Sequence, residues 1–398
     1  MAPVDQNWTS FQNIHDGDHA KRIQRVLDKT NFPRLCSRAV ELRKQEEDVP
    51  DTLTCSVDTA KFTSGWCNVV IALTFSDTAQ WVARIMLSRG RRNEEDTSIS
   101  LLSEISTMKL IRRKTTIPVP RVFGYCTTRS DIGYPYLMME ALPGNVLGSS
   151  MGFAVPDERK GAFAAQLATY VYELSTLQFS KIGRISYSSE FDEVELLPFP
   201  IGGSLVGPLS TSLEYFYLYR KGQTKAILKS RRGEKEWEAA CWLLEKSLTA
   251  VVTEEHVYGP FPLCHMDFHS GNILVDEDYN ITGIIDWSHS QSVPIERFAM
   301  IPELIYPSIA PEETKQALGG LRGMFLDALE RVERERGGPP SGIPLHQLFA
   351  SPRSEVVCRC TCSYPWRAII DAWLIVPLLY GENATWEDFQ KFYNERSV

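Results

Sequence analysis

The sequence predicts an α+β protein of two lobes, a small lobe built on an antiparallel sheet followed by a larger and mainly helical one. Three observations lead there. Residues 69–75 (VVIALTF) and 81–86 (WVARIM) are β-branched and aromatic runs on either side of the turn-like Ser76-Asp77-Thr78-Ala79, which is a hairpin pattern. Beyond Leu142-Pro143-Gly144, apolar residues recur at helical spacing through most of the remaining chain. The 398 residues, 43% hydrophobic and 23% charged, have an ordinary globular balance and suffice for two or three folding units, unlike a disordered or collagen-like chain.

Taken in order, residues 1–50 form an N-terminal arm and helices. Residues 1–16 are polar and irregular. From Asp16 to about Gln45 the apolar positions Ile23, Val26, Leu27 and then Leu35, Ala39, Leu42 predict two short amphipathic helices interrupted at Asn31-Phe32-Pro33. The small lobe, 51–143, holds the two strands above and a helix starting near Ser100 or Ser103. That helix runs through Met108 and Ile111, and Pro118 and Pro120 stop it because proline cannot continue the hydrogen-bond ladder. Strands follow at Val122–Tyr125 and Tyr136–Met139. The larger lobe, 144–398, reads as helices at Phe163–Leu177, Leu213–Leu228, Trp237–Val252, Glu312–Arg336 and Trp386–Tyr393. The stretch 183–212 is rich in Gly, Ser and Pro and reads as loop or short hairpin. No internal repeat or low-complexity tract is present.

Charge and cysteines narrow the function classes. With 42 Lys and Arg against 50 Asp and Glu the net charge is -8, which favours neither nucleic acid nor an anionic membrane. Nine cysteines are an odd number and too few for a disulfide scaffold, so Cys67, Cys126, Cys241 and Cys264, in apolar runs, are expected as buried thiols. The N-terminus shows no signal peptide, Ala2 stands where myristoylation needs glycine, and the longest apolar run, Ala372–Tyr380, contains Pro377 and is too short for a bilayer. A cytoplasmic protein with no membrane and no nucleic-acid partner is expected; oligomeric state is not legible.

Several features are weighed and set aside. Cys358, Cys360 and Cys362 lack a second cluster to complete a soft-metal site. Ser88–Arg92 reads as a solvated basic loop, and Gly202-Gly203-Ser204 is no nucleophile elbow. Glu190, Asp192, Glu193 and Glu195 form either a receiver for a cationic amine or, more simply, a solvated loop. Trp366, Trp373 and Trp386 either line a pocket for an aromatic or quaternary ammonium group or, by default, pack in the core.

The chemistry is concentrated in residues 263–287, LCHMDFHSGNILVDEDYNITGIIDW. Ile273–Val275 and Ile281–Ile285 are apolar strands around the polar turn Asp276–Asn280. With that turn centred on Tyr279, Asn272 and Asp286 fall opposite each other, and facing residues of an antiparallel pair have Cβ atoms about 5 Å apart. A carboxamide oxygen and a carboxylate held so could bracket a hard divalent cation. Asp267, on the loop entering the hairpin, could face that ion's substrate. This arrangement suits phosphoryl transfer, where positioning and charge neutralisation do most of the work.

His265-Met-Asp267-Phe-His-Ser-Gly-Asn272 followed by Ile285-Asp286-Trp287 resembles the aminoglycoside phosphotransferase/choline kinase family of the protein-kinase-like fold, most of all its fungal small-molecule branch. The resemblance spans roughly 50–390 and recurs in Trp81–Ile85, in Ser103-Glu104 through Pro120 and in Met139–Gly144. It implies ATP and Mg2+ as cofactors and a hydroxyl of a small-molecule acceptor as the target. Asp267 would be the catalytic base or acceptor-orienting residue, and His265 would brace its loop. Asn272 and Asp286 would hold magnesium, Glu104 would pair with the phosphate-contacting Arg84, and Met139, Glu140 and Leu142 would form the hinge against adenine. Ser64, Gly65 and Asn68 would supply donors in the phosphate loop.

Two departures stand out. Arg84 occupies the usual lysine position and is not its equivalent, and Phe62–Asn68 has a single glycine. They motivate the alternative of a kinase-fold protein used for nucleotide binding or sensing. A further alternative is recruitment to a non-phosphorylating natural-product step. No Ala-Pro-Glu motif follows Trp287, which speaks against a protein kinase.

Overall fold

The apolar runs become four sheets, of seven, five, three and two strands, in a computed structural model, which describes residues 9–10, 17–87, 94–148, 155–300, 312–362 and 366–396. Most of the arm 1–16, the basic stretch 88–92 and the side chains of Cys358 and Cys362 lie outside the described residues. The chain divides into two compact units: Met1–Val155 with Tyr187–Glu193 and Ser270–His289, and Pro156–Ser186 with Val194–His269 and Ser290–Val398. The sequence reading drew one boundary near residue 143; the contacts instead return two later segments to the first unit.

In the first unit the order is β1 (Thr9–Ser10), α1 (Asp18–Lys29), α2 (Phe32–Glu46), β2 (Cys55–Ser56), β3 (Lys61–Ser64), β4 (Asn68–Phe75), β5 (Gln80–Met86), α3 (Glu94–Lys114), β6 (Val122–Cys126), β7 (Tyr136–Glu140) and β8 (Asn145–Val146). The main sheet runs β1-β3-β4-β5-β7-β6 with β2 against β4, and the neighbours pair antiparallel. Its two faces differ. Val69, Ile71, Leu73 and Phe75 alternate onto one face, where with Trp81, Ala83 and Ile85 they bury against Ile23, Val26, Leu35 and Ala39 of α1 and α2. Each buried Val, Leu, Ile or Phe among them contributes about 1.5–3 kcal/mol. The other face carries Val70, Ala72, Val82 and Met139, which stay half-buried.

The interruption at Asn31-Phe32-Pro33 is a helix start: Asn31 caps α2 by accepting the Arg34 N–H at 3.0 Å, and Pro33 sits in the first turn. Helix α3 begins at Glu94, earlier than Ser100 or Ser103, which are buried inside it. The acidic Glu94-Glu95-Asp96 suits a helix N-terminus.

The second unit contributes α4 (Asp157–Thr176), β9 (Gln178–Phe179), β10 (Arg184–Ser188), β11 (Glu193–Leu197), β12 (Phe199–Ile201), β13 (Ser204–Val206), α5 (Ser212–Ser230), α6 (Lys235–Lys246), α7 (Leu248–Val251) and β14 (Phe261–Cys264). After the hairpin of β15 (Ile273–Val275) and β16 (Ile281–Ile284), which belongs to the first unit, the second resumes. It continues with β17 (Gln291–Ser292), α8 (Ile295–Phe298), α9 (Glu312–Glu335), α10 (Leu345–Ala350), α11 (Pro352–Cys362), α12 (Ala368–Tyr380) and α13 (Trp386–Arg396). A five-stranded sheet, β11-β10-β17-β14-β9, stands among helices, and α4 packs along α9. The stretch 183–212 resolves into strands, with β12 and β13 a hairpin.

Some expectations are corrected. Cys67, Cys126 and Cys264 are half-buried; of the four thiols only Cys241 is buried. Trp366 and Trp373 are more than half exposed, whereas Trp386 is core. The apolar run ending at Tyr380 belongs to α12, which accommodates Pro377. Among the described residues no helix is long and apolar enough to cross a membrane.

Candidate functional site: a buried arginine beside a strained hairpin exit

In the first unit, Arg84 on β5 is the centre of an ion cluster. It is buried, Nη2 contacts Glu104 Oε2 of α3, and Nη1 lies 3.5 Å from Asp286 Oδ1. Burial alone would weaken the guanidinium charge, but Glu104 and then Asp286 more than offset it, so its pKa lies above the ordinary arginine value. Burial likewise raises the Glu104 carboxyl, against the pull of Arg84. Arg84 Nε, Glu104 Oε1 and Asn68 Oδ1 are buried polar atoms without a hydrogen-bond partner among the described residues. Left without water or a ligand, such atoms cost about 1–3 kcal/mol each. Asn68 and Arg84 share a face of the sheet, since Asn68 pairs with Met86 and Val70 with Arg84.

The hairpin presents Asp286 by a chain of local causes. Asp276 organises the turn, its Oδ1 accepting the N–H groups of Asp278 and Asn280 at 2.9 Å and its Oδ2 the Asn280 carboxamide at 2.9 Å. Tyr279 takes φ 62°, and the turn closes through Asp276 N–H to Asn280 O at 3.0 Å. The turn therefore centres on Asp278, not Tyr279. A register shift beside Val275 follows, so that Ile273 faces Ile284 and Ile285 N–H donates to Asn272 O at 3.0 Å. The expectation that Asn272 lies opposite Asp286 is thus off by one residue. Asp286 falls just past the ladder, at φ 59°, and the buried Trp287 folds the exit back by donating Nε1–H to Ile284 O at 2.9 Å. Asn272 is buried at the same end of the ladder, on the opposite strand.

The segment Leu142–Gly144 packs on this hairpin. A Cβ at Gly144, which has φ 103°, would lie 2.6 Å from Val275 O, and Thr282 Oγ1 fills the same place while donating to Pro143 O at 2.6 Å. A Cβ at Gly283 would lie 2.8 Å from Leu142 Cδ1. Leu142 therefore covers Gly283, next to the half-buried face of Val70, Ala72, Val82 and Met139. Glu140 faces elsewhere: Arg112 Nη1 donates to its Oε2 at 3.1 Å, and its N–H bonds Arg121 O at 2.8 Å.

Ser64 and Asn68 end the strands of the β3–β4 hairpin, and Gly65 N–H donates to Asn68 O at 3.1 Å. That N–H is occupied within the turn, so Gly65 offers shape rather than the expected donor; no atom lies within 4 Å of its Cβ position.

In the second unit, His265 is buried, its ring 5.4 Å from Phe268, and its carbonyl accepts the Asp267 N–H at 2.8 Å. That bond spans Met266 at φ 62°, a γ-turn. Asp267 is largely exposed, and His269 Nε2 lies 3.7 Å from its Oδ2. Sequence reasoning passed over His269, although its place two residues after Asp267 was a signal. It also passed over Asp276 and Gly144, whose roles depend on turn geometry.

Asp192 is not open to a cationic amine. It accepts Lys114 Nζ at 2.5 Å and Tyr187 OH at 2.7 Å, with Arg113 Nε at 3.4 Å. Among the described residues no group of three or more His, Cys, Asp or Glu is placed to hold a metal. A magnesium held on nucleotide phosphates needs fewer protein ligands, and the carboxamide–carboxylate pair Asn272 and Asp286, both hard oxygen donors, fits it.

The fold is protein-kinase-like α+β, as the sequence predicted. A solved structure of a protein from Ralstonia eutropha JMP134, proposed to be an aminoglycoside phosphotransferase, superposes with a TM-score of 0.50 at 15% identity, covering 90% of this chain and 95% of that one. The chain belongs to the phosphotransferase enzyme family, whose model matches residues 58–339. Among curated proteins it is 28% identical over 155 residues to a subtelomeric hrmA-associated cluster protein of Aspergillus fumigatus, covering 39% of this chain and 29% of that protein. The match thus spans under a third of that relative's length. It is 26% identical over 284 residues to clavilactone A biosynthesis cluster protein Y of Ampulloclitocybe clavipes, covering 65% and 68% of the two chains.

Proposed function

We propose that this protein is an ATP- and Mg2+-dependent phosphotransferase acting on a hydroxyl group of a small molecule. The observation that carries the reading is the buried Arg84, tied to Glu104 and 3.5 Å from the part-exposed Asp286, with buried polar atoms on Arg84, Glu104 and Asn68 that have no hydrogen-bond partner among the described residues. Arg84 neutralises charge on the nucleotide phosphates, and Glu104 keeps its fork aimed. Asn272 and Asp286 are the residues that would hold magnesium, which supplies further neutralisation of the transferring phosphoryl group. Val70, Ala72, Val82, Met139 and Leu142 offer an apolar face to a base, with the backbone of Ala141 and Leu142 for its polar edge. Asn68 contributes its carboxamide toward the phosphates.

Asp267, five residues upstream of Asn272, accepts the hydrogen bond of the acceptor hydroxyl, and His269 restrains its carboxylate. The γ-turn at Met266 and the buried His265 hold that loop in place. A relative named for clavilactone A biosynthesis supports a natural-product alcohol as acceptor. The test is a panel of natural-product alcohols, amino alcohols and sugars incubated with MgATP and followed by product mass. A gain of one phosphoryl group that disappears in Asp267→Ala is expected. A product lighter by water would instead support recruitment to a non-phosphorylating step. Nucleotide binding without transfer across the panel would support a sensing role.

A further inference from the structure

The first unit carries a second concave site that the phosphotransferase reading leaves unused. Between the C-terminal half of α3, the segment leading into β6 and the connection Tyr187–Glu193 lies a cleft of about 290 Å3, lined among others by Lys109, Arg112, Arg113, Arg121, Tyr187 and Ser189. Four cations on one concavity are notable in a chain of net charge -8. Three of them have a carboxylate: Arg112 with Glu140 at 3.1 Å, Arg113 with Asp192 at 3.4 Å and Arg121 with Glu46 at 2.9 Å. Lys114 at the rim shares Asp192, at 2.5 Å. Lys109 makes no ion pair among the described residues. Five cations against three carboxylates leave a surplus of two positive charges.

An oxyanion of the chain itself is held on two of the lining residues, Arg113 and Tyr187. Asp192 is an oxyanion taken up by an ammonium, a phenol and a guanidinium together, and the hydrogen bonds from Lys114 and Tyr187 hold its carboxyl below the usual carboxylate range. The remaining cations, Lys109, Arg112 and Arg121, line the same concavity; Arg112 and Arg121 are held by Glu140 and Glu46, and Lys109 adds a charge with no carboxylate on it among the described residues. Guanidinium forks beside an ammonium suit a tetrahedral oxyanion, and the volume is near the lower bound of about 300 Å3 for small-molecule sites.

We propose that this cleft binds a small phosphate dianion, free or as the phosphate of a monoester, between Lys109, Arg112 and Arg121. Occupancy is transmitted to the hinge through Glu140. Its Oε2 accepts both Arg112 Nη1 at 3.1 Å and the Arg121 N–H at 3.0 Å, and it ends β7, the strand that leads to Ala141-Leu142. A dianion that draws the two arginines away loosens this clamp, so bound phosphate lowers affinity for MgATP. The transmission rests on the nucleotide reading above; binding to the cleft does not.

Inorganic phosphate and glycerol 3-phosphate are titrated calorimetrically into the nucleotide-free full chain, as wild type, Lys109→Glu and Lys109→Gln. Lys109 is exposed and unpaired, so both variants should fold. Saturable binding is expected in wild type, weakened at least tenfold in Lys109→Glu and by an intermediate factor in Lys109→Gln. Equal affinity for the two probes assigns recognition to the anion alone, and tighter binding of the ester adds the rest of the cleft. Affinity unchanged in Lys109→Glu, or no saturable binding in wild type, overturns the proposal while leaving the phosphotransferase reading as it stands. Repeating the wild-type titration with MgATP present then tests the coupling separately, with weaker phosphate binding expected.

Discussion

Two buried ion clusters, one in each unit, use the same residue types and differ in closure. In the second unit Asp371 of α12 takes Arg359 of α11 at 3.1 Å and Arg367 at 3.2 Å, and the three side chains are 2%, 5% and 10% exposed. In the first unit Arg84 and Glu104 are 7% and 3% exposed, but the second carboxylate, Asp286, is 37% exposed. The closed cluster ties two helices together and presents nothing to a ligand. The open one keeps a carboxylate edge within reach of solvent; each has a buried carboxylate oxygen without a hydrogen-bond partner among the described residues, Glu104 Oε1 in one and Asp371 Oδ2 in the other, so closure and not satisfaction separates them. Buried charge alone therefore does not distinguish a tie from a site; the degree of closure does.

The largest effect expected of this comparison is on Asp371. Replacing it by alanine removes the carboxylate shared by two buried guanidiniums and should cost about 3–5 kcal/mol, read by denaturant unfolding; a loss under about 1 kcal/mol would remove the distinction between the clusters. Asp276→Ala removes three hydrogen bonds that shape the turn before Asp286. It should cost about 1–2 kcal/mol and weaken MgATP binding as well, because the hairpin then no longer fixes the position of Asp286. Unaltered nucleotide affinity in a destabilised Asp276→Ala would mean that the turn and the site are independent.

The smallest effect is a pH dependence at Asp131 in the first unit, away from the open cluster. Tyr136 OH donates to Asp131 at 2.5 Å and Arg34 Nε at 2.9 Å, and these bonds, Tyr136's first, hold the carboxyl below its ordinary value. A depressed carboxyl contributes stability above the ordinary aspartate pKa of about 3.9 and loses it as pH falls through and below that range. The stability gap between wild type and Asp131→Asn should thus be widest near neutrality and close on acidification. A gap that is flat with pH would assign the effect of Asp131 to packing.

The comparison also marks how far the sequence could be read. The hairpin strands at 69–75 and 81–86 and the two N-terminal helices were legible because each has a local signature, alternation or 3.6-residue spacing, and the fixed offsets among His265, Asp267, Asn272 and Asp286 marked out the candidate site. The Arg84–Glu104 pairing followed from family resemblance and is present in the structure. What was not legible depends on one-residue geometry. The bulge beside Val275 moves Asp286 past its expected partner, the Gly65 N–H turns inward, and Glu140 faces Arg112. A sequence states which residues are near in order, whereas a bulge or a left-handed residue changes which way they point. The closed cluster was invisible for another reason: Arg359 and Asp371 lie on helices whose periodicity is masked by the apolar character of α12.

The most direct measurement is thermal unfolding of wild type and Asp286→Asn, with and without MgATP. A ligand at 100 times its Kd stabilises the folded state by about 2.7 kcal/mol, which raises the midpoint by a few degrees. The open-cluster account predicts that rise in wild type, a smaller one when magnesium is withheld, and its loss in Asp286→Asn, whose midpoint without ligand stays close to that of wild type. An equal rise in wild type and Asp286→Asn, or none in either at millimolar nucleotide, would contradict the assignment of Arg84, Glu104 and Asp286 to a nucleotide site.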